Sequence, residues 1–262
     1  MRFENILFEI QGAIARLTFN RPERLNSFTT AMHAEIRSAL HSLQESAARV
    51  LVITGAGRGF CAGQDLGDRA VAPGGPRVDL GESIERNYNP LVLALRELPM
   101  PVIAAVNGVA AGAGANVALA CDLVIAARSA SFVQAFCRLG LVPDSGGTWI
   151  LPRLLGNARA MGLALLGEKL TAERAAEWGL IWRCVEDSEL SGAVDELAAE
   201  LAAAPTLGLA RTKQAIYQSW NHDFRQQLDR ERDWQRELGA SEDYAEGVAA
   251  FAQKRSPNFR GR

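Results

Sequence analysis

The sequence has few of the residues on which metal, disulfide and nucleophile chemistry depend. Among its 262 residues there are three histidines, His33, His41 and His222, all isolated, and four cysteines without CxxC spacing. A zinc site or a disulfide framework is therefore not indicated, and reduced thiols are expected. Cys61 lies in a glycine loop, but no histidine is near it in sequence, which disfavours a cysteine nucleophile.

Complete nucleotide-binding motifs are also missing. The run Gly112-Ala113-Gly114 begins like the dinucleotide fingerprint GxGxxG, but the third glycine position is Val117. The loop that starts at Gly55 fails in the same way, with Phe60 at the required position. No GK[ST] run occurs, which excludes a Walker phosphate loop. A Rossmann-type cofactor site is therefore disfavoured.

Charge of one sign is not in excess. The formal net charge is −2, with 48% hydrophobic and 22% charged residues, as in an ordinary globular enzyme. This balance gives no global attraction for nucleic acid or an anionic membrane, so neither is expected as a partner.

The N-terminal residues lack a signal-type apolar run, and a cytoplasmic location is expected. The longest uncharged stretch, Pro99–Cys121, is interrupted by prolines, glycines and asparagines, so it predicts a buried strand, turn and helix.

Periodicity predicts a parallel-type α/β core at 1–200 and a helical region at 201–262. The segment Gly67–Gly81, rich in Gly, Pro, Asp and Arg, is predicted to be mobile. The predicted strands are Ile6–Ile10, Ala13–Phe19, Val50–Thr54, Pro101–Val106, Leu123–Ala126 and Leu180–Val185. The predicted helices run from Thr29 or Thr30 to about Glu45 and over Ile84–Leu98, Ala113–Cys121, Thr148–Leu155, Ala158–Leu166, Thr171–Trp178, Leu190–Ala203, Leu207–Leu238 and Ser241–Lys254.

Three loops together predict one catalytic site. Two glycine loops, Ala62–Asp65 and Gly108–Asn116, each follow a predicted strand, and each can offer a main-chain N–H to a developing oxyanion. In the third loop, Pro143–Thr148, the Asp144 carboxylate can move a proton beside the polarised carbonyl. The alternatives are close backbone packing for the glycines and an N-cap for Asp144. The favoured chemistry is proton transfer alpha to a carbonyl.

Motifs along nearly the whole chain resemble one family, the crotonase superfamily, also called the enoyl-CoA hydratase/isomerase family. They are Asn20-Arg21-Pro22 with Leu25-Asn26, Gly59–Leu66, Pro101–Gly108, Cys121-Asp122, Gly140–Pro143 with Gly146–Thr148, and Phe251–Arg255. The resemblance implies an α/β fold with a ββα-spiral core and a helical C-terminal trimerisation region. It also implies a homotrimer or hexamer and an acyl-CoA thioester substrate. Coenzyme A would then be part of the substrate, and no separate cofactor is expected.

The resemblance also implies roles for particular residues. The oxyanion hole would consist of the main-chain N–H groups of Gln64 and Ala113, and Asp144 would be the catalytic acid–base. Phe251 and Lys254 would reach the ligand of a neighbouring subunit, Lys254 as a point charge on a CoA phosphate. The implied substrate and CoA contacts are Arg24, Leu25, Ala62, Leu66, Gly112, Asn116, Phe136, Phe251 and Lys254.

Departures from the family pattern reduce the number of family reactions that this chain is expected to catalyse. Hydratases of the family use two glutamates to hold a water, and their positions are occupied here by Asn116 and Phe136. Neither side chain can act as a general base, so enoyl-CoA hydration is disfavoured. Several family isomerases place their catalytic aspartate at the position of Asp144. Asn116→Ala is accordingly expected to do much less harm than Asp144→Asn.

Four longer runs resemble the branch of the family that acts in phenylacetate degradation: Arg21–Ser27, Gly55–Leu66, Ala160–Gly167 and Lys254–Pro257. That resemblance implies an isomerase that converts ring-1,2-epoxyphenylacetyl-CoA to oxepin-CoA and moves a 3,4 double bond to the 2,3 position. The alternatives are another reaction of the family, such as hydration, dehalogenation or C–C cleavage, and CoA-ester binding without turnover. RNA binding is disfavoured by the net charge and by the lack of an aromatic–basic platform in the sequence.

Overall fold

The computed structural model describes residues 3–68 and 79–262. Most of the segment Gly67–Gly81 lies outside these residues, so its predicted mobility stays a prediction. The described chain forms two β-sheets whose strands are linked through helices. Among the described residues, no helix is long and apolar enough to cross a membrane.

The larger sheet has the order β1-β2-β3-β5-β7-β10. A hairpin pairs β1 with β2 antiparallel, and the remaining neighbours are parallel. Its central strand β5 is buried along its whole length, as expected for a parallel sheet covered on both faces. The strands are Ile6–Gln11 (β1), Ile14–Phe19 (β2), Val50–Gly55 (β3), Val102–Val106 (β5), Leu123–Ala127 (β7) and Arg183–Val185 (β10).

A second, smaller sheet has the order β4-β6-β8-β9 and consists of three-residue strands. Each of β4, β6 and β8 follows a strand of the larger sheet, so the chain steps repeatedly from one sheet to the other before a helix returns it. This is the ββα spiral that the family resemblance predicts. The strands are Gly59–Cys61 (β4), Val109–Ala111 (β6), Ser131–Val133 (β8) and Lys169–Thr171 (β9).

The helices before residue 204 pack around these sheets. Every residue of α4 is buried, because this helix contacts β4, β5 and β6 as well as α3 and α5. Helix α1 begins after Thr29, whose side chain accepts a hydrogen bond from the Met32 N–H, as predicted for a threonine cap. The helices are Thr30–Leu43 (α1), Leu80–Ser83 (α2), Asn89–Glu97 (α3), Ala113–Ala120 (α4), Gly147–Leu166 (α5), Ala172–Glu177 (α6) and Leu190–Ala203 (α7). A π-helical turn, Ile84–Tyr88, joins α2 to α3, and α5 is kinked at Gly156.

The C-terminal helices are Thr206–Ser219 (α8), Phe224–Leu238 (α9) and Glu242–Gln253 (α10). The prediction of one long helix over Leu207–Leu238 was therefore wrong. The break follows Ser219, and α9 restarts with a capping box in which Asp223 and Gln226 satisfy each other's backbone N–H groups. The predicted helical C-terminal region is present, while its boundary at residue 200 as a separate domain stays a prediction.

Candidate active site

The two predicted oxyanion loops lie side by side. The first, Ala62–Asp65, follows β4, and the second, Gly108–Asn116, contains β6 and continues into the start of α4. Strands β4 and β6 are parallel neighbours with Cys61 opposite Ala110. The carboxyl ends of both strands therefore meet at one edge of the small sheet. Gly63 has φ +89°, and a methyl group on it would lie 2.9 Å from the Ala111 oxygen and 3.5 Å from the Ala113 nitrogen. Glycine at this position allows the two turns to approach each other.

The main-chain N–H of Gln64 is oriented by its neighbours. The Phe28 N–H donates to the Gly63 oxygen at 2.7 Å, and the Asp65 N–H donates to the Phe28 oxygen at 2.9 Å. In a parallel bridge of this kind, the N–H of the residue between the two bonded peptides points away from the partner strand. The Gln64 N–H therefore faces away from Phe28.

The second donor, Ala113, is the first residue of α4. The first N–H groups of a helix have no intrahelical partner, and the helix dipole favours negative charge at this end. The preceding Gly112 has φ +53°, and a methyl group on it would lie 3.7 Å from the Phe136 ring. Phe136 is buried, so an apolar ring covers the side of the turn where the family's hydratases place a water-binding carboxylate.

Asp144 is attached to the same helix that supplies the Ala113 N–H. The Asn116 side-chain amide, one turn into α4, donates to the Asp144 main-chain oxygen at 2.8 Å. The Gly147 N–H donates to the same oxygen at 2.9 Å, and the Ser145 hydroxyl donates to the Asp144 carboxylate at 2.9 Å. Helix α5 begins at Gly147 with Gly146 as its N-cap and no side-chain cap, so Asp144 does not cap it. The main chain of the half-buried Asp144 is thus held against α4, one turn after Ala113.

Asn116 is a buried side chain that binds protein groups on both sides. It is 0% exposed, and its amide oxygen accepts a hydrogen bond from the Gln134 side chain at 2.8 Å. Because both ends of the amide contact protein, the structure favours a positioning role over the substrate contact implied by the resemblance. Asn116→Ala would release the Asp144 loop and leave the buried Gln134 amide without this acceptor. The expectation of mild harm from that change is therefore revised to a loss of both stability and activity.

The other predicted contact residues form two groups. Leu25 accepts a hydrogen bond from the Ala62 N–H at 2.9 Å, with exposed Arg24 beside it and exposed Leu66 two residues after Gln64. These four residues lie along the loops of the oxyanion site.

Phe251 and Lys254 are different, since both are on or just after α10. Phe251 is 88% exposed, and no hydrogen bond, ion pair or ring contact between described residues joins either one to the site loops. Their predicted role at a neighbouring subunit's ligand stays a prediction.

Two titratable groups beside the loops are unsuited to proton transfer. Burial raises the pKa of Cys61 to about 12, so its thiol stays protonated and is a poor nucleophile. Burial also acts to raise the pKa of Asp65, but hydrogen bonds from Arg21 and the Gly67 N–H outweigh it and hold that pKa below its ordinary value. The Arg21–Asp65 ion pair is 3.0 Å long. Neither group therefore matches the proton-transfer role that the sequence predicts for Asp144.

Some parts of the site had no signal in the sequence. The three-residue strands that hold the loops are too short to show a period, and Gln134 and Tyr88 are remote from the motifs. Gly114 has the packing role offered as the alternative, because a methyl group on it would lie 2.3 Å from the Cys61 oxygen. His33, one of the three isolated histidines, is buried against Phe28.

Comparisons with known proteins test the family resemblance. The profile described as "Enoyl-CoA hydratase/isomerase" matches residues 9–262. The chain is 58% identical over 260 residues to the 1,2-epoxyphenylacetyl-CoA isomerase of Escherichia coli strain K12, covering 99% of each chain. It is 37% identical to the 2,3-dehydroadipyl-CoA hydratase of the same organism, covering 96% of this chain and 97% of the relative. The crystal structure of an enoyl-CoA hydratase from Bacillus anthracis superposes with a TM-score of 0.93 at 33% identity, covering 99% of this chain and 100% of that one. The family resemblance and the fold predicted from the motifs are thereby confirmed, and the chain belongs to the enoyl-CoA hydratase/isomerase family of enzymes.

Proposed function

We propose that this enzyme is an acyl-CoA isomerase that converts ring-1,2-epoxyphenylacetyl-CoA to oxepin-CoA and also moves 3,4 double bonds of enoyl-CoA esters to the 2,3 position. The observation that carries the proposal is the attachment of the Asp144 loop, through Asn116, to the helix that begins at Ala113. This contact ties the main chain of Asp144 to the helix of a proposed oxyanion donor, and the positions of the two water-holding glutamates are occupied by Asn116 and Phe136. The 58% identity to an isomerase of that name supports the same assignment.

In the proposed mechanism the thioester oxygen lies between the N–H groups of Gln64 and Ala113. The Asp144 carboxylate removes a proton from the carbon next to the carbonyl, and the negative charge moves onto the thioester oxygen, where the two donors stabilise it. In double-bond migration, Asp144 returns the proton two carbons further along the chain. In epoxide conversion, ring expansion breaks the C–C bond between the two epoxide carbons and keeps both C–O bonds, and Asp144 passes the alpha proton to a ring carbon through the same enolate. Both reactions are isomerisations, so the proton that leaves the substrate returns to the product.

Phe136 makes this site suited to isomerisation over hydration. A buried aromatic ring beside Gly112 excludes water from the side where the family's hydratases hold it. Coenzyme A enters as part of the substrate, and the proposed reaction uses no separate cofactor. The expected cytoplasmic location stays a prediction.

A direct assay tests the proposed function. Purified enzyme is incubated separately with ring-1,2-epoxyphenylacetyl-CoA, a 3-enoyl-CoA and a 2-enoyl-CoA, and the products are followed by absorbance and mass spectrometry. We expect the first two substrates to give products of unchanged mass, with conjugated-thioester absorbance rising for the 3-enoyl-CoA. A product that has gained one water would support the hydratase alternative, which the 37% identity to a hydratase keeps open. Tight binding without turnover of any of the three would support a CoA-ester binding protein.

Gly63→Ala tests the closeness of the two oxyanion loops. The new methyl group would lie 2.9 Å from the Ala111 oxygen on a backbone with φ +89°, so the two turns must move apart. We expect kcat with a 3-enoyl-CoA to fall about tenfold or more, since loss of a single oxyanion donor typically costs about 10²–10³ in rate. Gly192→Ala is the matched control, because Gly192 lies in α7 with open space around its Cα. Wild-type kcat for Gly63→Ala would contradict the proposed oxyanion geometry.

A homotrimer or a hexamer is also part of the proposal. It is supported by large apolar side chains on the C-terminal helices that this chain leaves exposed, among them Phe224 at 80% and Phe251 at 88%. Light scattering during size-exclusion chromatography would give three or six copies, and a monomer would refute this part.

A further inference from the structure

Tyr88 makes a hydrogen bond to the side chain of a proposed oxyanion residue. Its hydroxyl donates to the Gln64 side-chain oxygen at 2.6 Å, near the short end of the range for O–H···O bonds. Tyr88 ends the π-helical turn before α3 and is 0% exposed. The motifs of the sequence analysis do not include it.

The Gln64 carboxamide is engaged at both ends. Its oxygen accepts from Tyr88, and its nitrogen donates to the Phe28 oxygen at 3.2 Å and to the Asp65 oxygen at 3.0 Å. The Phe28 backbone also holds the peptides on both sides of Gln64 through the bonds from the Phe28 N–H to Gly63 and from the Asp65 N–H to Phe28. The side chain thus ties residue 64 to the segment that orients its main-chain N–H.

Aromatic packing restricts the movement of the Tyr88 ring. It meets the Phe28 ring edge-to-face, with centroids 5.8 Å apart, and the His33 ring edge-to-face at 4.4 Å. His33 in turn stacks on Phe28 at 4.9 Å. A hydroxyl on so restricted a ring is a preorganised donor, as support for an oxyanion hole requires.

We propose that Tyr88 is a positioning residue that acts through the Gln64 carboxamide to hold the Gln64 main-chain N–H towards the thioester oxygen. The inference rests on the proposed function, because the proposed oxyanion hole is the site that Tyr88 supports. Tyr88 contacts Gln64 and not the reacting atoms, so its effect falls on stabilisation of the enolate. Binding of the CoA portion is unaffected.

Tyr88→Phe removes the hydroxyl and keeps the ring. We expect kcat to fall about three- to tenfold, the usual range for one net hydrogen bond, with KM nearly unchanged. The second readout is the carbonyl stretch of bound phenylacetyl-CoA, labelled with ¹³C at the thioester carbon, in infrared difference spectra. The shift to lower frequency on binding reports polarisation by the two donors, and it is expected to be smaller in Tyr88→Phe. Tyr244→Phe is the matched control, because Tyr244 is exposed on α10.

Gln64→Ala, which keeps the main-chain N–H and removes the carboxamide, completes the test. If Tyr88 acts through the carboxamide, Gln64→Ala alone reduces kcat and the carbonyl shift at least as much as Tyr88→Phe does, and the double variant loses nothing beyond Gln64→Ala. Full additivity of the two changes, or a wild-type carbonyl shift in Tyr88→Phe, would overturn the inference. Should Tyr88→Phe not fold, a wild-type carbonyl shift in Gln64→Ala would overturn it equally.

If the proposed function is wrong, the turnover and carbonyl-shift measurements on wild-type enzyme give a different result from the one expected if only the role of Tyr88 is wrong. If wild-type enzyme polarises bound phenylacetyl-CoA but isomerises none of the proposed substrates, the proposed reaction is wrong and the carbonyl shifts of the variants still decide the role of Tyr88. If wild-type enzyme binds the thioester without shifting its carbonyl stretch, both proposals are overturned.

Discussion

Asp144→Asn is expected to reduce kcat for double-bond migration by about 10²–10⁴, the usual contribution of a positioned general acid–base. The change removes the proton acceptor and keeps the side-chain volume. It also leaves the loop intact, because Asn116 and Gly147 both donate to the Asp144 main-chain oxygen and not to its carboxylate. The Ser145 hydroxyl can still donate to the oxygen of the new amide. The loss should therefore fall on kcat, with little change in KM or thermal midpoint.

Initial rates with a 3-enoyl-CoA measure this loss, and exchange of the substrate's alpha proton with deuterated solvent measures proton removal directly. Asp195→Asn is the matched control, since Asp195 lies on α7 in a partly exposed ion pair with Arg16 and is expected to keep the wild-type rate. Retention of wild-type isomerisation by Asp144→Asn would remove Asp144 from the mechanism. If Asp144→Asn still exchanged the alpha proton at the wild-type rate, another group would be the base.

Lys213→Met is expected to destabilise the fold by about 3–5 kcal/mol, the usual effect of breaking a buried ion pair by removing one partner. The Lys213 ammonium group lies 2.8 Å from the Asp122 carboxylate and donates to the main-chain oxygens of Leu95 and Met100. Burial lowers the pKa of Lys213, and the charge of Asp122 opposes that shift. Without the lysine, the largely buried Asp122 carboxylate loses its ion-pair partner and two carbonyl oxygens lose their donor.

Tyr217 extends this network. Its hydroxyl donates to Asp122 at 2.7 Å, and burial raises its pKa above the ordinary value, so it stays a neutral donor. The Val102 N–H donates to the same carboxylate at 2.7 Å. Since Lys213 and Tyr217 lie on α8, whereas Asp122 follows α4 and Val102 begins β5, the network fastens the first C-terminal helix to the core.

Urea titration at a fixed protein concentration measures the stability change. The double variant Lys213→Met/Asp122→Asn is expected to lose less stability than the sum of the two single changes, because neither charge is left alone. Arg236→Met, which breaks an exposed ion pair with Asp233 on α9, should leave the urea midpoint nearly unchanged. A midpoint for Lys213→Met equal to that of wild type would show that the buried pair contributes no net stability.

Local sequence patterns were sufficient for most of the large elements. The first two strands, the helix capped by Thr29 and the buried strand before Gly108 are all present close to their predicted bounds. Alternating or helical periodicity and cap residues act over a few neighbours, so they are visible in a linear chain. The break before α9 was visible too, since Asp223 and Gln226 have the spacing of a capping box, but helix-forming residues on both sides obscured it.

By itself, the sequence determined the family and predicted the candidate catalytic residues and the two glycine loops, because motifs and turn residues depend on local spacing. Only the tertiary structure decided how these parts meet. In the fold, three-residue strands form a sheet, Asn116 on α4 binds the main chain of Asp144, and Tyr88 contacts Gln64. Such contacts join distant segments, and they exist because buried polar groups must find partners once the core has excluded water. No local pattern records which partner each group finds.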